Sequence, residues 1–282
     1  MLNHSQLYTF IDQDKKFALY FLEGQRLIHD LVLKNPMQQG GFSYFRSAVL
    51  SVQLLLGLLK HGEYFCFYID SEKPYFRIKI ELNTQGLMRG MIYADALSPL
   101  PSGISGMVRL IKFQPNANMP YQSTIDLNEV GIDEIMNQVL ERSYQVNSRI
   151  FVSNVSDQSV MLHQLPQTLK VTSKEAQSDL DKAFNQYIDP VKAIMSRGLT
   201  DPESIRLAFA ELGFEYLASQ QVEFNCGCSK RQMIENIVKF LKTSDESLFS
   251  PGKDEIEVTC EYCKTAYRIS EKDILQAVGE YQ

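Results

Sequence analysis

The sequence predicts an α+β protein. An N-terminal core domain (1–172) has a largely antiparallel sheet packed by helices. A helical linker (173–223) follows, then a small cysteine-bearing C-terminal domain (224–282). Three observations carry this reading. Between 63 and 93, short runs of alternating apolar and polar residues are separated by turn tetrapeptides, the signature of a strand meander. Beyond about 171 the pattern becomes helical and charged. Four of the five cysteines fall between positions 226 and 263. At roughly 150 residues per domain, 282 residues make about two domains.

In chain order, residues 16–22 (KFALYFL) read as an apolar strand and 25–34 as a helix. Gly40-Gly41 punctuates before a helix over 43–60. Its apolar residues Phe45, Ala48, Val49, Val52, Leu55, Leu56 and Leu59 nearly surround it, as in a buried helix. Strands follow at 63–69, 75–82 and 87–93, with turns at 71–74 and 83–86; Phe76, Ile78, Ile80 and Leu82 alternate with Arg77, Lys79 and Glu81. Further strands fall at 109–113, 121–127, 149–155 and 160–165, and a helix carries Ile132, Ile135, Met136 and Val139 on one face. In the linker, a helix over 173–187 precedes a second one capped by Thr200 or Asp201, with Pro202 in its first turn. Ile205, Phe209, Leu212 and Tyr216 form the apolar face of that second helix, and Gly213 lies near its end.

In the C-terminal part, Ser229-Lys230-Arg231-Gln232 fits a capping box for a helix bearing Ile234, Ile237, Val238 and Leu241. Pro251-Gly252 breaks the chain; a strand with Ile256 and Val258 runs into Cys260, a strand at 267–269 returns, and a short helix begins at Ser270–Asp273. So few apolar groups in under 60 residues need a staple to fold.

The balance of 28 basic against 34 acidic residues is a poor match for a phosphate backbone. The most apolar run, 48–59, is shorter than a bilayer span, and no basic-then-apolar leader opens the chain, so a soluble, cytoplasmic protein is expected, with no membrane partner. No P-loop, dinucleotide fingerprint or His-Glu-x-x-His motif points to an enzyme.

The cysteines read Cys226-x-Cys228, then Cys260-x-x-Cys263 between two strands. In a reducing compartment such a cluster is a metal site or a redox device. Two short-spaced pairs can supply the four thiolates of a tetrahedral zinc site, and no histidine lies near in sequence. Three readings stand at this point. The zinc is purely structural; or Cys260 and Cys263 act as a thioredoxin-like pair, for which flanking strands are the wrong context; or the zinc is part of a redox switch. The last is favoured by Cys-x-Cys, whose small disulfide ring is strained and easily reduced. Lys230, Arg231, Lys264 and Arg268 flank the thiols and would favour thiolate. Cys66, in the strand 64–68, reads as a small buried apolar side chain.

At these residues the chain resembles the redox-regulated heat-shock chaperones of the 33 kDa chaperonin family. The match is carried by Phe224-Asn225-Cys226-Gly227-Cys228-Ser229-Lys230, by Val258-Thr259-Cys260-Glu261-Tyr262-Cys263 and by Tyr267. It extends to Leu54–Lys60, Gly86-Leu87-Met88-Arg89-Gly90, Pro120-Tyr121 and Ser143-Tyr144-Gln145. The chain departs from the family at Gln158-Ser159, where a Gly-Gly pair is usual, and at Tyr144, where an acidic residue is expected.

The resemblance implies a holdase that works without ATP. When reduced, it holds one Zn2+ per chain through Cys226, Cys228, Cys260 and Cys263 and is inactive. Oxidants with mild unfolding stress form the Cys226–Cys228 and Cys260–Cys263 disulfides and release the metal. The linker then loses support, and the protein, a homodimer when oxidised, binds unfolding client proteins and later passes them to ATP-dependent foldase chaperones. Ile205, Phe209, Leu212 and Tyr216 are the candidate client or linker surface. The alternative is a structural zinc ribbon that binds a nucleic acid or protein partner. Eight Lys and Arg against ten Asp and Glu over 226–282, before any thiolate is counted, disfavour a nucleic acid.

Overall fold

The computed structural model describes residues 2–35, 39–94, 103–166, 173–242, 249 and 254–280. The chain divides into two compact units, Met1–Phe224 and Asn225–Gln282. The break expected at Pro251-Gly252 lies outside the described residues.

The first unit is built around a five-stranded sheet that is apolar on both faces. Strands β1 (Gln6–Asp12) and β2 (Phe17–Glu23) are its centre. Every residue of β2 is buried. Phe17, Leu19 and Phe21 enter one core while Ala18, Tyr20 and Leu22 enter another, the two-residue alternation of a strand with a core on each side. Asp12 fixes the hairpin by accepting the Lys16 and Phe17 backbone N–H groups at 2.7 and 2.8 Å. Helix α1 (Gln25–Lys34) follows where the periodicity places it.

Helix α2 (Gln39–Gln53), continued by a tighter helical turn (Leu54–Leu58), begins earlier than expected. Gly40-Gly41 lies inside its first turn rather than before it, where backbone N–H groups have no intrahelical partner in any case. Within this segment, Gly41–Leu58 has the length and hydropathy of a membrane span, and 67% of that stretch is buried inside the protein.

The second sheet holds the expected meander. Strands β3 (Tyr64–Lys73), β4 (Tyr75–Asn83), β5 (Leu87–Ala94), β6 (Ile104–Phe113) and β7 (Tyr121–Val130) pair antiparallel with neighbours in the order β5-β4-β3-β6-β7. Phe76, Ile78, Ile80 and Leu82 are all buried, as their alternation requires. The turn expected at 71–74 contracts to the single residue Pro74, which follows a cis peptide bond. Cys66 is buried on the face opposite Phe65 and Phe67; burial first, then the Glu81 charge, pushes its thiol up to about 11.

Helix α3 (Ile132–Val139) runs on into one wider turn (Leu140–Tyr144). Tyr144, one of the departures from the family, buries its ring beside Phe65, and its hydroxyl has no hydrogen-bond partner among the described residues. Strands β8 (Ser148–Val152) and β9 (Gln158–Gln164) complete the first sheet. Ser159, the second residue of β9, has a fully buried hydroxyl that donates to the Leu50 carbonyl at 2.7 Å. Helix α2 touches β4 and β5 of one sheet and β8 and β9 of the other, so the larger core lies between the sheets.

The remainder of this unit departs from the expectation of helices alone over 173–223. Helix α4 (Ser173–Ser196) continues through Pro190, because Val191, Ile194 and Met195 bury themselves in the smaller core and offset the lost hydrogen bond. Helix α5 (Pro202–Glu211) is capped by Asp201, whose carboxylate accepts the Ser204 N–H at 2.8 Å. Gly213, at φ +85°, turns the chain into the strand β10 (Phe214–Gln221), which pairs antiparallel with β1. The first sheet is therefore ordered β10-β1-β2-β9-β8. Tyr216 is a strand residue and not part of a helical face, as Phe214 and Tyr216 alternate toward the core.

The two-residue strand β11 (Glu223–Phe224) then joins the second sheet, parallel to β5. Gly86 sits at this crossover with φ +82°; a Cβ there would lie 2.0 Å from the Gln221 carbonyl oxygen.

The second unit consists of helix α6 (Lys230–Leu241), an antiparallel hairpin of β12 (Glu255–Thr259) and β13 (Ala266–Ser270), and helix α7 (Glu271–Glu280). Its apolar core has three fully buried members among the described residues, Val238, Ile269 and Ile274.

Candidate metal centre

Two short segments of the second unit bring the cysteines together. Cys260 directly follows β12, and a tight turn returns the chain to β13. The Lys264 N–H donates to the Cys260 carbonyl at 2.8 Å, the Cys260 N–H donates to the Thr265 carbonyl at 2.9 Å, and Lys264 adopts φ +58°. This knuckle places the Cys260 and Cys263 side chains on the same side. Cys226 and Cys228 lie just before α6, where Ser229 caps the helix as expected, accepting the Gln232 N–H at 3.3 Å.

The four Sγ atoms lie within 4.8 Å of one another. Cys226 and Cys260 sulfurs are 3.7 Å apart, and those of Cys228 and Cys263 are 3.3 Å apart. Zinc–sulfur bonds of about 2.3 Å in a tetrahedron put ligand sulfurs roughly 3.8 Å apart, so the knot has the dimensions and the soft donor set of a four-thiolate zinc site. Cys260 is buried and the other three are half-buried.

Electrostatics make the knot poor at holding four charges alone. Burial, with the neighbouring thiols, pushes Cys226 up to about 12 and raises Cys228. Burial also opposes ionisation of Cys263, but the Thr265 hydroxyl and backbone N–H and the adjacent thiols outweigh it and bring that thiol down to about 6. One sulfur thus ionises readily at the expense of its neighbours. A dication would let all four ionise together.

Three of the four flanking cations have carboxylate partners. Lys230 pairs with Asp273 at 2.9 Å, Arg231 with Glu235 at 2.9 Å, and Arg268 with Glu255 and Glu257 at 3.8 and 4.0 Å. Their charge is spent on carboxylates rather than on sulfur. The groups that do meet sulfur are hydroxyls: Tyr267 Oη lies 3.1 Å from Cys228 Sγ and 3.2 Å from the Cys228 carbonyl, and Thr265 Oγ1 lies 3.1 Å from Cys263 Sγ. Sequence reasoning placed Tyr267 in a strand and counted it toward the resemblance without giving it a role at sulfur, and did not single out Thr265; their positions four and two residues after Cys263 are the available signal.

The other predicted residues belong to the first unit. Ile205 and Phe209 are fully buried, and Leu212 and Tyr216 are half-buried, all in the smaller core. Phe209 packs its ring 4.7 Å from Phe10 and 4.9 Å from Phe21, and Tyr216 lies 5.9 Å from Phe10. These four side chains are brought together, Ile205 and Phe209 under cover and Leu212 and Tyr216 half-exposed at the rim of that core.

Comparison with known proteins bears on both units. The family model of the Hsp33 protein matches residues 5–270. The 33 kDa chaperonin of Pseudomonas fluorescens (strain SBW25) is 21% identical over 279 residues, covering 96% of this chain and 92% of that protein. The 33 kDa chaperonin of Photorhabdus laumondii is 23% identical over 292 residues, covering 99% of this chain and 97% of that protein. The crystal structure of the 33 kDa chaperonin from Thermotoga maritima superposes with a TM-score of 0.73 over 99% of both chains, at 15% identity, and so shares the fold.

Proposed function

The chain belongs to the Hsp33 family of chaperones, and from that premise we propose that it is a redox-regulated holdase that prevents aggregation of unfolding proteins without ATP. In the reduced, inactive protein, Cys226, Cys228, Cys260 and Cys263 would hold one Zn2+. The observation that carries this reading is the convergence of four sulfurs in a unit with only three fully buried apolar residues among those described. A bound zinc ion would supply the cross-link and the positive charge that such a small core lacks, a contribution of about 10–16 kcal/mol in small peptides.

Activation follows from the same dependence. In the pairing that the resemblance implies, Cys226 joins Cys228 and Cys260 joins Cys263. For each disulfide two thiolates give two electrons to one peroxide; the O–O bond breaks, the S–S bond forms, and both oxygens leave as water after taking up protons. Oxidation removes the four donors and with them the main stabilisation of the 225–282 unit. For Ile205, Phe209, Leu212 and Tyr216 to meet a client as one surface, α5 must leave the face of the first sheet and β10 its edge, which accounts for a need for unfolding stress beside oxidation. The oxidised form would act as a homodimer in the cytoplasm, independent of membrane and nucleic acid, and hand clients to ATP-dependent foldases after reduction.

The test combines metal analysis with an aggregation assay. Reduced protein is expected to carry one zinc per chain and to leave thermal aggregation of citrate synthase unaffected. Peroxide at elevated temperature is expected to release the zinc and suppress aggregation. Zinc release without suppression overturns the chaperone switch, and metal content unchanged in Cys228→Ser and Cys260→Ser overturns the ligand set.

A further inference from the structure

Within each short cysteine pair, one sulfur faces a hydroxyl and the other does not. Cys228 Sγ has Tyr267 Oη at 3.1 Å, a hydroxyl that also donates to the Cys228 carbonyl at 3.2 Å, and the Cys263 thiol donates to Thr265 Oγ1 at 3.1 Å. Cys226 and Cys260 meet other sulfurs and backbone groups, and no side-chain hydroxyl, among the described residues. Both hydroxyls are held in place by the hairpin. Tyr267 stands opposite Val258 in the β12–β13 ladder, with its ring against the small core, and its hydroxyl reaches across 39 positions of sequence to Cys228. Thr265 is fixed by the Cys260 N–H that donates to its carbonyl.

We propose that Tyr267 and Thr265 are positioning residues of the thiolate cluster: once Cys228 and Cys263 are ionised their sulfurs can only accept, and each hydroxyl then donates to one of them, Tyr267 in place of its bond to the Cys228 carbonyl, holding that sulfur in its ligand role and restraining its attack on electrophiles. The inference rests on the zinc reading above. A thiolate has lone pairs left over when it binds a metal, and a donor on one of them withdraws electron density from sulfur. The bond stabilises the ionised ligand and lowers its nucleophilicity together. The assignment is one-to-one: Tyr267 serves Cys228, and Thr265 serves Cys263. Two independent settings thus tune one knot, one from each segment's sulfur, without any change in the four ligands.

The experiment uses the full-length, zinc-loaded, reduced protein and its Tyr267→Phe, Thr265→Val and Thr265→Ser variants. Phe keeps the ring in the small core, and Ser keeps the hydroxyl. Zinc affinity is read by competition with a chromophoric chelator. Iodoacetamide then probes each sulfur: the S–C bond forms, the C–I bond breaks, iodide leaves with the electron pair, and mass spectrometry reads the modified site. Tyr267→Phe is expected to weaken zinc binding roughly tenfold and to speed alkylation at Cys228 by a similar factor, with Cys263 unchanged. Thr265→Val is expected to do the converse, and Thr265→Ser to restore wild-type values. Unchanged rates, or equal acceleration at all four sulfurs as from general loosening, overturn the inference. Wild-type protein that binds no zinc would instead overturn the reading on which it rests.

Discussion

Gln158 donates from its side-chain Nε2 to the carbonyl oxygen of Leu199 at 2.7 Å, tying the first residue of β9 to the turn between α4 and α5. The Gln158 side chain is buried, so this bond is made away from competing water. It anchors the segment whose Phe209 packs on Phe10 and Phe21 of the first sheet.

Gln158→Ala is expected to strip the Leu199 carbonyl of this donor and to cost about 1–3 kcal/mol. The loss should be local. Hydrogen exchange is expected to speed up in the 197–201 turn and along α5, while the amides of β3 and β4 keep their protection. Uniform acceleration across both sheets would contradict the assignment of Gln158 as a tether of this segment.

Glu23 contributes stability on the acid side. Burial pushes its carboxyl up to about 7; the Gln25 N–H that it accepts works against this, and the Asp157 charge adds to it. The unfolded chain titrates near 4.5, so the folded state holds the proton more tightly through the interval from 4.5 to 7. This contribution is therefore fully present below pH 4.5 and is lost as pH rises through 7, a swing of roughly 3 kcal/mol. Glu23→Gln is expected to flatten that interval and to be more stable than wild type at pH 8 in urea titrations. A variant with the wild-type slope from pH 5 to 8 would assign the dependence to another group.

Removing metal is expected to unfold one unit and spare the other. Val238, Ile269 and Ile274 are too few to hold residues 225–282 by burial alone, whereas the first unit has two extensive cores. A strong chelator added to reduced, zinc-loaded protein should collapse the amide dispersion of the second unit in an NMR spectrum. Signals of β2 and β3 should stay in place. Retained dispersion of the β12–β13 hairpin in the apo protein would show that its fold does not depend on metal.

How much of this was legible in the sequence varies by element, and the reasons are physical. Helix α1 and strand β4 carry their period on the surface of the sequence, because each buries one face and exposes the other. Strand β1 does not: Leu7 enters one core while Tyr8 and Phe10 enter the other, and a strand with a core on each side loses the polar alternation that marks a half-exposed one. Strand β10 was hidden for the opposite reason. It is a sheet edge, mostly exposed, and Tyr216 falls at a spacing that also continues the helical stripe of Ile205, Phe209 and Leu212. The cysteine knot was readable because ligand spacing is a local property of the chain. The hydroxyls of Tyr267 and Thr265 were not, since a hydrogen bond to sulfur leaves no periodicity to detect. Lys230, Arg231 and Arg268 misled in the same manner: proximity in sequence did not disclose the carboxylates that pair with them.

The β1–β10 pairing has a consequence for what an opened form would present. The seven residues Gln6–Asp12 are all paired with β10 on one side, with one register shift between Thr9 and Phe10 that skips Leu217. If α5 and β10 lift away together, the aromatic row of Tyr8, Phe10 and Phe21 is uncovered in the same movement that frees the N–H and C=O groups along that side of β1. A stretch of unfolded polypeptide has what both features lack: apolar side chains for the row and an extended main chain for the vacant ladder. The departing strand would leave behind a template of its own shape, one that reads backbone and so accepts many sequences.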